Sequence, residues 1–101
     1  MSRFEDQIEW DPAKAVANLS KHGVPFEIAA TVFLDPLLQT KLDAALSVTE
    51  ERWITMGCAQ NGWLLVVIHT WHDLGRGVAR IRIISARRAT RAESDDYEEN
   101  P

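Results

Sequence analysis

The stretch Arg76–Arg91 constrains this chain most, because its middle is laid out as a strand with two unlike faces. From Ala79 to Ala86 the residues alternate, Arg80 and Arg82 projecting to one side and Ile81 and Ile83 to the other. A period of two is a β-strand's signature, so one face belongs to a core and the other carries cations. The stretch holds Arg76, Arg80, Arg82, Arg87, Arg88 and Arg91, six of the eleven basic residues, and no acid. A strand keeps guanidinium groups in a fixed row, which suits successive phosphates better than a flexible tail does. The competing reading is a half-exposed strand whose arginines pair with nearby carboxylates, the commoner fate of surface charge.

Whole-chain charge hides this arrangement. The net charge is −4, yet residues 76–91 carry +6 and residues 93–99 (ESDDYEE) carry −5. That order suggests either a local anion site in an acidic protein or a strand neutralised in cis, and composition leaves both open. At 101 residues a single domain over 1–101 is expected, with residues 99–101 frayed. No apolar run approaches ~18 residues, which excludes a membrane-spanning helix. The N-terminus MSRFEDQIEW has no apolar core of a secretion signal, and the lone Cys58 has no internal disulfide partner. Both features fit a reducing cytoplasm, with Cys58 read as a small core residue. Three histidines and one cysteine show no metal-ligand spacing, so neither metal nor cofactor is expected.

In chain order, Phe4–Trp10 alternates weakly and Ile8–Trp10 reads as a short strand. Asp11-Pro12 starts a helix, Asp as N-cap and Pro at the first helical position. Pro12, Val16 and Leu19 with the small Ala13, Ala15 and Ala17 form its expected buried stripe, and Lys21-His22-Gly23 ends it. A second helix is predicted over Phe26–Leu34 and a strand over Leu37–Leu42. Asp43–Glu51 reads as a loop with one helical turn around Ala44–Leu46. Strands follow at Arg52–Ala59 and Trp63–Thr70, joined by a hairpin turn at Gln60-Asn61-Gly62. His72–Gly77 reads as a longer turn leading into the arginine strand at Val78–Ala86. Thr90 and Glu93 form a capping box that opens a last helix carrying Tyr97. The expected fold class is α+β: two N-terminal helices on a three- to four-stranded antiparallel sheet, then a C-terminal helix.

Three segments in this order, FEDQIEWDPAKAVANLSKHGVPFEIAATVFLDP, EERWITMG and RIRIISARRATRAESDDYEE, resemble the BrnT toxins. The W-D-x-x-K…N-x-x-K-H-G block and the R-I-I-S-A-R block carry the likeness, which spans roughly residues 8–36, 50–70 and 79–99. The resemblance implies a RelE-like fold and a ribonuclease toxin of a type II toxin–antitoxin system, inhibiting translation by cutting RNA. It implies a BrnA-like ribbon-helix-helix antitoxin as partner, with DNA reached only through that antitoxin. The family's last helix is usually rich in Lys and Arg, where this chain has Ala92, Ser94, Asp95 and Asp96. Each missing cation weakens phosphate binding and its salt dependence. An alternative therefore stands: a weak or inactive homologue that serves as an antitoxin-binding module in promoter autorepression.

Metal-independent RNA cleavage needs an activated 2′-hydroxyl, a cationic clamp on the phosphorane and a proton for the leaving 5′-oxygen. Arginine suits the clamp and histidine suits proton transfer. The catalytic candidates are Arg82, Arg87, His69, Lys21 and His22, all at positions that the resemblance marks. Arg80 on the strand, with Arg52, Arg88, Glu93 and Tyr97 at positions matching the resemblance, complete the set as RNA-contacting candidates. Each has a plainer role open to it. Lys21 and His22 cap a helix, His69 sits in an apolar strand as a core histidine, and Glu93 caps the last helix. Arg52 pairs with Glu50 or Glu51, Arg88 is an ordinary surface charge, and Tyr97 ties that helix to the core.

Overall fold

The apolar run Leu64–His69 needs cover on both sides, and the computed structural model, which describes residues 7–46 and 50–99, places it mid-sheet. The chain begins with β1 (Gln7–Trp10), α1 (Pro12–His22) and α2 (Phe26–Ala30), the last continued by a 3-10 turn at Thr31–Leu34. Then come β2 (Gln39–Leu42), a 3-10 turn at Ala44–Leu46, β3 (Trp53–Cys58) and β4 (Leu64–His69). β5 (His72–Gly75), β6 (Val78–Arg88) and α3 (Arg91–Glu99) complete it. Phe4 in the expected N-terminal alternation, part of the expected 43–51 loop and residues 100–101 of the end expected to fray lie outside the described residues, while Glu99 of that end closes α3.

The class is α+β, but the sheet corrects the expected one. Among the described residues it has six strands in the order β1-β6-β4-β3-β2, with β5 also on β6. It is mixed, because β1 runs parallel to β6 while the other pairs are antiparallel. The segment expected to be a turn, His72–Gly77, instead begins as β5, pairing His72 with Arg80. The reversal comes later, at Gly75-Arg76-Gly77, where all three residues have positive φ (85°, 58° and 75°). Two glycines make that left-handed run accessible. β4 and β5 thus lie along β6 in succession, parted at Thr70 and Trp71.

The core lies between one sheet face and the helical layer. Val24, Phe26, Ala29, Val32 and Phe33 come from the helices, and Leu65, Val67, Ile81, Ile83 and Ala86 from the strands. Gly57 lets the 3-10 turn close on β3, since a Cβ there would stand 2.8 Å from Val32 Cγ1. α1 starts and stops as its ends dictate: Asp11 accepts from the Ala13 N–H, and Gly23 at φ 70° closes the last turn onto the Leu19 carbonyl.

Of the expected stripe only Ala15 packs on the core. Val16 is 71% exposed and Leu19 50%, while Asn18 is buried. Periodicity located the helix but chose the wrong side, because Asn18 has a specific task. Its amide donates to the Val24 carbonyl (3.0 Å) and the Ala86 carbonyl (2.9 Å), and accepts from the Ala86 N–H (3.0 Å). One side chain thereby ties α1 to β6. Cys58 corrects a second expectation, being exposed at the end of β3 while Gly57 and Ala59 take the buried places.

The arginine strand keeps its alternation only by means of a bulge. Ala79, Ile81 and Ile83 are buried and Arg80 and Arg82 exposed, as the pattern requires. Pairing with β4 then shifts, from His69↔Ile83 to Ile68↔Ser85, so Ile84 is an extra residue. Such an insertion exchanges the faces of all that follows. Ala86 therefore enters the core beside Val67, and Arg87 emerges on the same open face as Arg80 and Arg82.

Replacing Asn18 by Ala would strand two buried carbonyls and one N–H, and should lower the unfolding free energy by about 3 kcal/mol. Urea unfolding measures this; a change below about 1 kcal/mol would mean the bridge is dispensable.

Candidate nucleic-acid interface

With α1 and α2 on one side, the other face of the sheet is where β6 presents its cations. At the β1 end lies a polar cavity of about 470 Å³ lined by Gln7, Glu9, Thr70, His72, Arg80 and Arg82. Registers create it, since Gln7 and His72 both stand opposite Arg80 and Glu9 stands opposite Arg82. Arg80 Nε lies 3.5 Å from Glu9 Oε1, both side chains being about half exposed. Arg82 donates to Glu50, with side-chain exposures of 44% and 35%. Exposed pairs of this kind contribute roughly 0–1 kcal/mol each, so a phosphate that brings two charges can displace them.

Towards β2 the same face holds a second cavity of about 350 Å³. Its floor is Ile54, Met56, Val66 and Ile68, and Lys41, Arg87, Glu93 and Asp96 stand around it. Here Arg87 is held differently. Its NH1 and NH2 reach Glu93 Oε1 and Oε2 at 2.8 and 2.9 Å. Glu93 Oε1 also accepts from the Thr90 N–H (2.8 Å), and Thr90 Oγ1 accepts from the Glu93 N–H (3.2 Å), which completes the expected capping box. Hydrogen bonds from Arg87 hold the Glu93 carboxyl down to about 2, against the opposing effect of burial, and the same bonds raise Arg87. Two predicted site residues are thus partners of one another.

Tyr97 secures the other end of α3. Its hydroxyl donates to Asp35, whose carboxylate also accepts from the Cys58 N–H (2.7 Å) and the Leu37 N–H (2.9 Å). Burial alone would raise Asp35, but these three donors hold it below its ordinary value. Burial, and then the neighbouring Asp35 carboxylate, push the Tyr97 phenol upward.

His69 is fully buried beneath this face, edge-on to Phe33 with ring centroids 4.9 Å apart. Nδ1 lies 2.9 Å from the Thr70 carbonyl and Nε2 lies 2.7 Å from Thr55 Oγ1. Burial lowers its pKa to about 4, with the Thr70 hydrogen bond opposing. The ring is neutral near pH 7 and has no open nitrogen.

The structure thus brings Arg80 and Arg82 together, and sets Arg87 and Glu93 on the same face at the second cavity. Lys21 and His22 close α1 in the helical layer, across the sheet from this row. Arg88 stacks on Trp63, 4.6 Å from the ring centroid. Arg52 immediately precedes β3, and its carbonyl accepts from the Asp43 N–H (2.8 Å). Glu50, bonded to Arg82, and His72, lining the first cavity, escaped sequence reasoning. Glu50 read only as a neighbour of Arg52, and His72 read as part of a turn. Alternation carried on through His72 would have brought it to the arginine face.

A family profile described as the ribonuclease toxin BrnT of type II toxin–antitoxin systems matches residues 10–93. The chain belongs to the BrnT family. Membership makes it a toxin of a type II system and implies an antitoxin partner. The matched span takes in Arg80, Arg82 and Arg87 and stops at Glu93, leaving most of α3 outside. The crystal structure of the Brucella abortus ribonuclease toxin BrnT is similar at 22% identity with a TM-score of 0.52. The alignment covers 85% of this chain and 99% of that one, and the likeness is one of fold. Curated proteins gave no match. No helix among the described residues is long and apolar enough to cross a membrane.

Two pH windows follow from the site's ionisation. His69 takes up a proton near 6.5 when unfolded but only near 4 when folded, so stability is full above 6.5 and falls as pH drops towards 4. The loss is on the order of 3 kcal/mol. Glu93 adds a second decline between 4.5 and about 2, as its carboxylate is lost. Urea titrations from pH 8 to pH 3 should show the first decline in the native chain and not in His69→Gln. A flat profile between pH 6.5 and pH 4 in the native chain would contradict the buried neutral ring.

Proposed function

We propose that the chain is a metal-independent endoribonuclease that inhibits translation by cutting RNA on the Arg80–Arg82 end of the open sheet face. The observation that carries this reading is one juxtaposition: the Arg82 guanidinium bonded to the Glu50 carboxylate, beside a cavity that His72 and Arg80 also line. Those groups match the three demands of phosphodiester cleavage.

In the proposed reaction the scissile phosphate displaces Glu50 from Arg82, and Arg80 and Arg82 share its oxygens. The freed Glu50 carboxylate accepts the proton of the 2′-hydroxyl. The 2′-oxygen attacks phosphorus, and the bond to the 5′-oxygen breaks. His72 in its protonated form gives that oxygen a proton, leaving a 2′,3′-cyclic phosphate and a 5′-hydroxyl. Guanidinium groups stabilise the dianionic phosphorane more than the ground state, the condition for catalysis. Arg87 and Glu93 hold α3 against the sheet in this reading, and Lys21 and His22 close α1. Strand separation by i, i+2 spacing puts Arg80 and Arg82 about 6.6 Å apart along β6, comparable to successive phosphates of an extended strand.

The antitoxin is proposed to be a BrnA-like ribbon-helix-helix protein that neutralises the toxin and makes any DNA contacts of the complex. The acidic helix α3 keeps RNA affinity modest, since Asp95, Asp96, Glu98 and Glu99 repel phosphate.

Induced expression of this chain alone in a bacterial host should arrest growth and fragment RNA. Arg82→Ala should abolish both while leaving the melting temperature within a few degrees, because its exposed pair contributes little to stability. Glu50→Gln should reduce cleavage by purified protein about a hundredfold or more, the usual effect of losing a general base. Normal growth with intact RNA from folded native protein would overturn the proposal.

A further inference from the structure

We propose that His69 is a positioning residue for Arg82, acting through Thr70, and that it transfers no proton in the reaction. The inference rests on the reading of Arg82 as the phosphate clamp. Hydrogen-bond donors and acceptors assign themselves along the chain of contacts. A carbonyl only accepts, so His69 Nδ1 carries the hydrogen bonded to the Thr70 oxygen (2.9 Å). Nε2 of the neutral ring is then an acceptor, and Thr55 Oγ1 donates to it (2.7 Å). With its hydrogen so used, the Thr55 oxygen accepts from Thr40 Oγ1 (2.8 Å). The ring is held in orientation at both ends and wedged edge-on against Phe33.

What this holds in place is the backbone beside the clamp. Arg82 lies opposite the break between β4 and β5, where regular pairing gives out. Thr70 fills the break: its N–H donates to the Arg82 carbonyl (3.0 Å), and the Arg82 N–H donates to Thr70 Oγ1 (3.3 Å). The Thr70 peptide is itself fixed by His69 Nδ1. Thr70 thus stands in for the missing ladder at Arg82, and His69, Thr55 and Thr40 hold it there. Burying an ionisable ring is a poor way to build a proton donor, and a good way to build a two-ended hydrogen-bond spacer that no aliphatic side chain can replace.

The test compares native protein with His69→Asn, which keeps a donor near the Nδ1 position, and His69→Leu, which keeps none. Amide hydrogen exchange read by NMR reports on Thr70 and Arg82 directly. Both amides should exchange at least roughly tenfold faster in His69→Leu, relative to amides of β3, and recover in His69→Asn. Thr55→Val, which removes the donor to Nε2, supplies the same readout should His69→Leu fail to fold. In RNA cleavage, His69→Asn should keep most of the activity, and its pH–rate profile should keep both limbs of the native one. Unchanged Thr70 and Arg82 exchange in His69→Leu, or in Thr55→Val if that variant fails to fold, would overturn the proposal, as would loss of one limb of the profile in His69→Asn. Absence of cleavage by native protein would instead defeat the ribonuclease reading, while the exchange data would still decide whether His69 sets the Arg82 backbone.

Discussion

The bulge at Ile84 is the constraint on which the rest of the structure depends. β6 must do two jobs along its eleven residues, supplying Ile81, Ile83 and Ala86 to the core and Arg80, Arg82 and Arg87 to the open face. Strict alternation cannot do both, since Ile83 and Arg87 have the same parity. One inserted residue resolves the conflict. It keeps Arg87 out of the core, where an unpaired guanidinium would be prohibitive, and delivers it to Glu93 at the start of α3. Asn18 locks the reset strand by bonding both the N–H and the carbonyl of Ala86, so α1, β6 and α3 are set by neighbouring positions of one strand.

The arginines of this strand fall into two energetic kinds. Arg87 meets its carboxylate through a two-pronged, partly buried contact that also caps a helix, an arrangement whose parts support each other. Arg80 and Arg82 each meet a single carboxylate, and since the Arg82 pair is about as exposed as the Arg87 pair, what separates them is the missing second prong and helix cap. Held cations build the fold; loosely paired ones stay exchangeable. A carboxylate that leaves an arginine when phosphate arrives is also placed beside the substrate, and this gives Glu50 both a resting role and a chemical one in the proposed reaction.

Much of the fold was legible in local chemistry. Asp11-Pro12, Gly23, Asn61-Gly62 and the Thr90–Glu93 box each name a backbone geometry that few other residues support, and each stands where expected. The parallel pairing of β1 with β6 was not legible, since the two strands lie some seventy residues apart and no local pattern encodes a partner. Nor was the buried side of α1, because a polar Asn outcompeted Val16 and Leu19 for the interior through three long-range bonds. For the site, the alternation displayed Arg80 and Arg82 openly. It concealed Glu50, which reaches Arg82 across thirty-two positions of sequence, and His72, masked by a strand that looked like a turn.

In the proposed reaction this face activates an RNA 2′-hydroxyl against its own phosphate. The most direct measurement uses purified chain and an RNA oligonucleotide cut at a mapped position, remade with a single 2′-deoxy nucleotide on the 5′ side of that bond. The all-RNA strand should yield a product ending in a 2′,3′-cyclic phosphate, and the substituted position should not be cut. Cleavage that persists without the 2′-hydroxyl, or products bearing a 5′-phosphate, would contradict it.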